Sequence, residues 1–356
     1  VPSRQDRTGD IVAERYELLA IVGRGGQGLV YRGYDRWMER PVAVKLLGSK
    51  KAREPQMAQR LMREQQALSA LKGTSAVELF DVCRSSDGEI ALVMELLSGI
   101  DLEEHLYKIE DRGERLELSR IVEIFDPIVE TLAVAHDAGI LHRDLKPANV
   151  FLLDYGGVRL LDFGLARLRT AAPLTAAGTI MGSPSFMAPE AWKGQQNLVD
   201  HRADVYSLGV ILFRVLSGEL PFAGESLHEK FLGTTKGARP SLHAKRSDLP
   251  VAADDWVEMA LAIDPEERFG NVRALWSAFL TTFDVDPPKK KGASFWARAK
   301  DVVHRLSHDE IQPSAPPMSP HPQELSFLSE ALAKSVLPEP PDRSAPPPPP
   351  RRPKKS

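Results

Sequence analysis

The chain holds 356 residues, 42% of them hydrophobic, enough to bury a core of domain size. Its formal net charge of −3 excludes a general nucleic-acid binder, and its one cysteine, Cys83, excludes an internal disulfide framework and fits a reducing cytoplasm. No apolar run reaches the ~20 residues that a membrane helix needs, and positions 1–14 carry no secretory signal. The first residue is valine, so membrane contact is expected only through a span trimmed from the sequence or through a basic tail.

In chain order, positions 1–15 read as an N-terminal extension. Tyr16–Val22, Leu29–Tyr34 and Val42–Leu47 then read as strands, being short, β-branched or aromatic, and separated by Gly or charged turns. A helix is expected at about Gln56–Leu71, followed by strands at Val77–Cys83 and Ile90–Glu95, where Cys83 is a small strand hydrophobe and not a nucleophile. After Gly99 helical periodicity dominates, with long apolar-periodic segments at Ile121–Ala138 and Asp204–Ser217. The pattern predicts an α+β fold of two lobes, strand-rich over 16–97 and helical over 98–283.

From position 284 the composition changes. Sixteen of the 28 prolines lie at or beyond Pro287, and residues 284–356 hold 12 Lys/Arg against 9 Asp/Glu. This is the composition of a linker or disordered tail, basic at Lys289-Lys290-Lys291 and at Arg351–Lys355. Helical spacing recurs at 294–311 and 323–337, and Pro346–Pro350 reads as extended polyproline. A solvated linker is the expectation; a tail-binding protein partner or contact with anionic lipid is the alternative.

The chemistry concentrates in a few motifs. Gly23-Arg24-Gly25-Gly26-Gln27-Gly28 is followed by strand residues Leu29-Val30-Tyr31, so it reads as a glycine-rich hairpin that can lay backbone N–H groups on phosphates. Leu29 stands where a Walker A loop would have lysine. Lys45 in Val42-Ala43-Val44-Lys45 has apolar neighbours, which points its ammonium into a cleft where it needs a partner. Glu64 is the candidate, since it shares a helix face with Leu61 and Leu68; Glu54, just before Pro55, is the runner-up. Leu141-His142-Arg143-Asp144-Leu145-Lys146-Pro147-Ala148-Asn149, followed by Asp162-Phe163-Gly164, supplies a base, a phosphate-neutralising lysine and two metal-seeking oxygens. Phosphoryl transfer from a nucleotide to a hydroxyl requires that set.

These motifs, with Met187-Ala188-Pro189-Glu190 after them, resemble in order and spelling the eukaryotic-type (Hanks-type) protein serine/threonine kinases, most closely bacterial members, over about residues 16–283. The resemblance implies ATP and Mg²⁺ as cofactors, with Mn²⁺ as a second suitable cation, and protein substrates in a signalling role. It implies Asp144 as the base and Lys146 on the transferring phosphate. Lys45 would hold the α/β-phosphates, oriented by Glu64, and Asn149 and Asp162 would bind metal. The nucleotide pocket would be formed by Gly23, Gly25, Gly28, Val30 and Ala43, with Met94, Glu95 and Leu97 as hinge and Phe151 as floor, where the family usually has an aliphatic residue.

Asp101 falls where related kinases place a carboxylate near the ribose, although an acidic residue opening a helix is also favourable to the helix dipole. Thr175 or Thr179 is the expected phosphorylation site, with Arg143 able to pair with the phosphate. Ser183 would contact the catalytic loop, Asp204 would bond its backbone, and Glu190 would pair with Arg268. A kinase-shaped scaffold that binds partners through its tail is the competing reading, and a small-molecule kinase of this fold is disfavoured by Lys146, Ser183 and the complete Ala-Pro-Glu segment.

Overall fold

The computed structural model describes residues 6–25, 28–47, 69–163, 184–194, 199–222, 224 and 226–287. The expected helix at 56–71 lies outside these apart from a short 3₁₀ turn at Ser69–Leu71. The tail patterns at 294–311 and 323–337 lie wholly outside them.

The first lobe is built on a six-stranded antiparallel sheet. Its strands are β1 (Ile11–Val12), β2 (Tyr16–Gly25), β3 (Gly28–Asp35), β4 (Arg40–Leu47), β5 (Leu79–Arg84) and β6 (Ile90–Met94), in the spatial order β1-β2-β3-β4-β6-β5. The predicted strands are all present; the fourth begins later than expected, because Val77 and Glu78 bond elsewhere. The period-2 alternation divides the sheet into two faces. Tyr16, Leu18, Tyr31, Val42, Val44, Leu46, Ala91 and Val93 pack together in one apolar cluster. Residues of the opposite parity, Leu47, Ile90 and Leu92, form a second. Lys45 belongs to that second face, opposite Val30 on one side and Leu92 on the other.

The second lobe is helical. α1 (Leu102–Glu110) and α2 (Leu118–Asp137) precede the stretch Leu141–Asn149. After it come α3 (Pro189–Trp192), α4 (Arg202–Ser217), α5 (Leu227–Lys236), α6 (Leu242–Lys245), α7 (Ala252–Ala260) and α8 (Val272–Thr282). α4 is buried along nearly its whole length, which is why its sequence is apolar all round and shows little one-sided periodicity. Its left-handed C-cap is Gly218 at φ 78°.

A three-stranded antiparallel sheet was not expected from the sequence. β7 (Gly99–Asp101), β8 (Val150–Leu153) and β9 (Val158–Leu160) lie in that order. Each strand is too short to display a period. The sheet depends on Gly99, whose φ is 147° and where a Cβ would fall onto the Leu152 carbonyl. The segment before β5 is bonded to this sheet: Leu160 N donates to Ser75 O at 2.7 Å and Val77 N to Leu160 O at 3.0 Å. Ser75 N also donates to Thr131 Oγ1 of α2 at 3.0 Å, anchoring one lobe on the other.

Candidate active site

The glycine-rich segment is a hairpin between β2 and β3, as read from the sequence. Gly25 pairs with Gly28 at its tip and Gly23 with Val30. A strand follows the last glycine, and the bulges at Leu18/Ala20 and Ile21/Gly23 bend β2 on the way in. One residue-pair deeper in the sheet, Ala43 lies opposite Met94 at the end of β6. Gly23, Val30, Ala43, Lys45 and Met94 therefore share one face of the sheet, because directly opposed residues of an antiparallel ladder point to the same side.

Lys45 is 8% exposed and its ammonium is paired. Nζ lies 2.6 Å from Asp162 Oδ1 and 2.7 Å from Oδ2. The sheet lysine and the carboxylate of the Asp-Phe-Gly segment thus meet, although 117 residues apart in sequence. Glu64, the partner expected from the sequence, lies outside the described residues, as do Thr175, Thr179 and Ser183.

The catalytic segment is held from beneath by one buried carboxylate. Asp204, in the first turn of α4, is 1% exposed. It accepts from His142 N at 2.8 Å and from Arg143 N at 2.9 Å, and it meets His136 Nε2 at 2.8 Å. Burial alone would raise its pKa. The hydrogen bond from His136 and the bond from the Arg143 N–H outweigh that and hold it below the ordinary carboxylate value. The two backbone bonds fix Arg143 at φ 64°. Asp162 has φ 59°, so a non-glycine residue adopts the left-handed conformation in both functional segments, a strain that surrounding bonds must hold in place.

His142 joins the two segments. It is fully enclosed, and burial pushes its pKa down, so the ring is neutral. Nε2 lies 2.9 Å from Leu161 O and therefore carries the one ring proton, leaving Nδ1 to accept weakly from Asp144 N at 3.4 Å. The edge of Phe163 packs on the same ring, with centroids 4.7 Å apart.

Asp144, Lys146 and Asn149 are brought together. Lys146 Nζ lies 3.1 Å from Asp144 Oδ2. Asn149 Nδ2 donates to Asp144 O at 2.6 Å and approaches Asp144 Oδ2 at 3.3 Å. This spends the amide's donors on the loop and leaves its oxygen as the group available to a cation. Leu161 N donates to Asn149 O at 2.8 Å, so the chain just before Asp162 is tied to Asn149. Among the described residues no cluster of three or more His, Cys, Asp or Glu is placed to hold a metal ion. A hard cation that takes two protein oxygens, from Asn149 and Asp162, and fills its remaining positions with phosphate and water fits this set.

Asp101 opens α1. Its Oδ1 accepts from Glu104 N at 2.9 Å, a helix cap, while in β7 it lies opposite Phe151 of β8. Leu97 follows Glu95 on the irregular stretch between β6 and β7. Glu190 and Arg268 form a two-armed ion pair, Nη1–Oε1 2.9 Å and Nη2–Oε2 2.7 Å, with both residues buried.

Several supporting residues were missed by the sequence reading. His136 lies on the apolar face of α2 one turn from Leu132, a signal that it faces the interior. Ser207 Oγ of α4 donates to Phe186 O at 2.8 Å, just before the Ala-Pro-Glu segment. Arg159, between Val158 and Leu160 in β9, reaches Glu95. A charge inside so short a strand is a weak signal, and its partner 64 residues away leaves no trace in the sequence.

A model of the protein kinase domain matches residues 16–280. The serine/threonine-protein kinase PknL of Mycobacterium tuberculosis is 35% identical over 266 residues, covering 74% of this chain and 65% of PknL. The serine/threonine-protein kinase PrkC of Bacillus subtilis is 30% identical over 283 residues, covering 80% of this chain and 43% of PrkC. The chain thus spans less than two thirds of the length of these relatives. Among solved structures, the PknI kinase domain of Mycobacterium tuberculosis matches with a TM-score of 0.62 at 27% identity, covering 78% of this chain and 100% of that one.

Proposed function

This chain belongs to the protein kinase domain family, and on that premise we propose that it transfers the γ-phosphoryl group of ATP to serine and threonine hydroxyls of protein substrates in bacterial signalling. The kinase domain is assigned to 16–283, between the N-terminal extension and the proline-rich tail. One observation carries the reading: Asp144, Lys146 and Asn149 are held in mutual contact on a loop whose backbone a buried Asp204 fixes. Positioning and charge neutralisation are nearly all that a protein contributes to phosphoryl transfer.

In this reading Asp144 orients the substrate hydroxyl and takes its proton. Lys146 steadies the transferring phosphoryl group beside it, and Lys45 faces the α/β-phosphates from the sheet, oriented by Glu64. A divalent cation, Mg²⁺ or Mn²⁺, is held by Asn149 and Asp162 and supplies neutralisation of the nucleotide phosphates. Thr175 or Thr179 is modified by the enzyme itself and pairs with Arg143. The chain works in the cytoplasm, consistent with its single cysteine; among the described residues no helix is long and apolar enough to cross a membrane.

The test is incubation with Mg²⁺ and radiolabelled ATP beside Lys45→Met and Asp144→Asn. Label on serine or threonine is expected in the wild type and absent from both variants, with Asp144→Asn still binding nucleotide. Full transfer by Asp144→Asn would sink the assignment.

A further inference from the structure

The stretch between the lobes, residues 95–98, belongs to no strand or helix, so no regular ladder sets its geometry. It is pinned at both ends instead, each time to the β8–β9 hairpin. At the first end, Glu95 N donates to Glu78 O at 3.0 Å. Its carboxylate Oε1 accepts from Glu78 N at 2.9 Å and from Arg159 Nε of β9 at 2.8 Å. At the second end, Ser98 Oγ donates to Asp154 Oδ2 at 2.6 Å and Asp154 N returns a bond to Ser98 O at 3.0 Å.

That hairpin also carries Phe151. Arg159 lies directly opposite Phe151, which lies opposite Asp101, so the three share one face of the small sheet. The Arg159 and Glu95 side chains are 15% and 20% exposed, which leaves the pair little screened by solvent.

We propose that Arg159 and Glu95 are positioning residues for adenine: their pair locks the backbone edge of the hinge to the Phe151 floor, so that edge and floor act as one preformed slot. This rests on the ATP reading above. Hydrogen bonds to a base edge tolerate only small displacements, and the slot is useful only while its two walls keep their spacing. Asp144, Lys146 and Asn149 take their positions from Asp204 and from one another. Breaking the Arg159 pair therefore removes nucleotide binding that is equal in ground and transition states, the signature of which is a raised KM with kcat retained.

The experiment uses the full chain and compares wild type with Arg159→Gln. The expected result is a KM for ATP raised about tenfold with kcat within about twofold. Calorimetric ADP affinity should fall by the same factor, and Arg159→Lys should recover part of both. A merely structural role would lower the nucleotide-free melting midpoint and leave KM of the folded protein unchanged. Arg159→Met, which keeps the aliphatic stem and removes every donor to Glu95, serves where Arg159→Gln does not fold. Unchanged KM and ADP affinity, or a kcat above wild type, would overturn the proposal, the latter by making the pair a restraint on turnover. Wild-type protein that binds ADP without transferring phosphate would refute the kinase reading alone, and the ADP series would still decide this one.

Discussion

Arg268→Met tests how the Ala-Pro-Glu segment is held to the helical lobe. The Arg268 guanidinium is fully enclosed and faces a Glu190 side chain that is 4% exposed. Beyond its two bonds to Glu190, it donates to Ala262 O at 2.9 Å, Arg202 O at 3.1 Å and Ile263 O at 3.1 Å, and it lies 5.0 Å above the Tyr206 ring. Methionine replaces the aliphatic stem and nothing else. It strands a buried carboxylate and removes the donors from three carbonyls.

An unpaired buried charge costs about 3–5 kcal/mol. For a domain of this size that is a fall of about 6–20 °C in melting midpoint. Glu190→Gln leaves the three carbonyl bonds intact but strips the enclosed guanidinium of its counter-charge and sets an amide N–H against one of its arms, so it should also cost about 3–5 kcal/mol. Glu190→Met/Arg268→Met removes both charges, and its cost should fall well short of the sum of the two single methionine variants. The measurement is thermal and urea unfolding of wild type and the four variants, Glu190→Met among them. An Arg268→Met midpoint within about 1 °C of wild type, or strict additivity in the double variant, would refute the reasoning.

Acidification should act in two windows. Burial depresses the His142 pKa below the ordinary histidine value of 6.5, so the unfolded chain binds that proton more readily; this stability is complete above about pH 6.5 and is lost as pH falls below it. Asp204 is held below the ordinary aspartate value of 3.8, so its contribution stands above that pH and is lost only under stronger acid. Urea midpoints from pH 8 to pH 5 should decline, and His142→Phe should be less stable at pH 8 yet flatter over that range; an equally steep decline would remove His142 as the cause. Burial also pushes the Cys83 thiol up to about 12, so native protein at pH 8 should react with iodoacetamide far more slowly than the urea-unfolded chain, and equal rates would contradict this.

The sequence alone determined what is local. Strand positions in the first lobe followed from short β-branched and aromatic runs between Gly and charged turns, and the hairpin character of the glycine segment followed from the strand residues after Gly28. The candidate site was legible because Asp144, Lys146 and Asn149 lie within six residues, where spacing along the backbone confines them to one neighbourhood. The expected pairing of Glu190 with Arg268 depended on a family resemblance; neither periodicity nor charge pattern singles out that pair.

Only the tertiary structure decided which groups meet across long separations. It placed Lys45 on Asp162 and set His136 beside Asp204. It assembled a three-stranded sheet from segments too short to carry a period, and it brought Arg159 to Glu95. The physical reason is that a buried charge must find a partner, while its sequence records only that it is charged. Which partner it finds is settled by the packing of whole strands and helices, a property of no single segment.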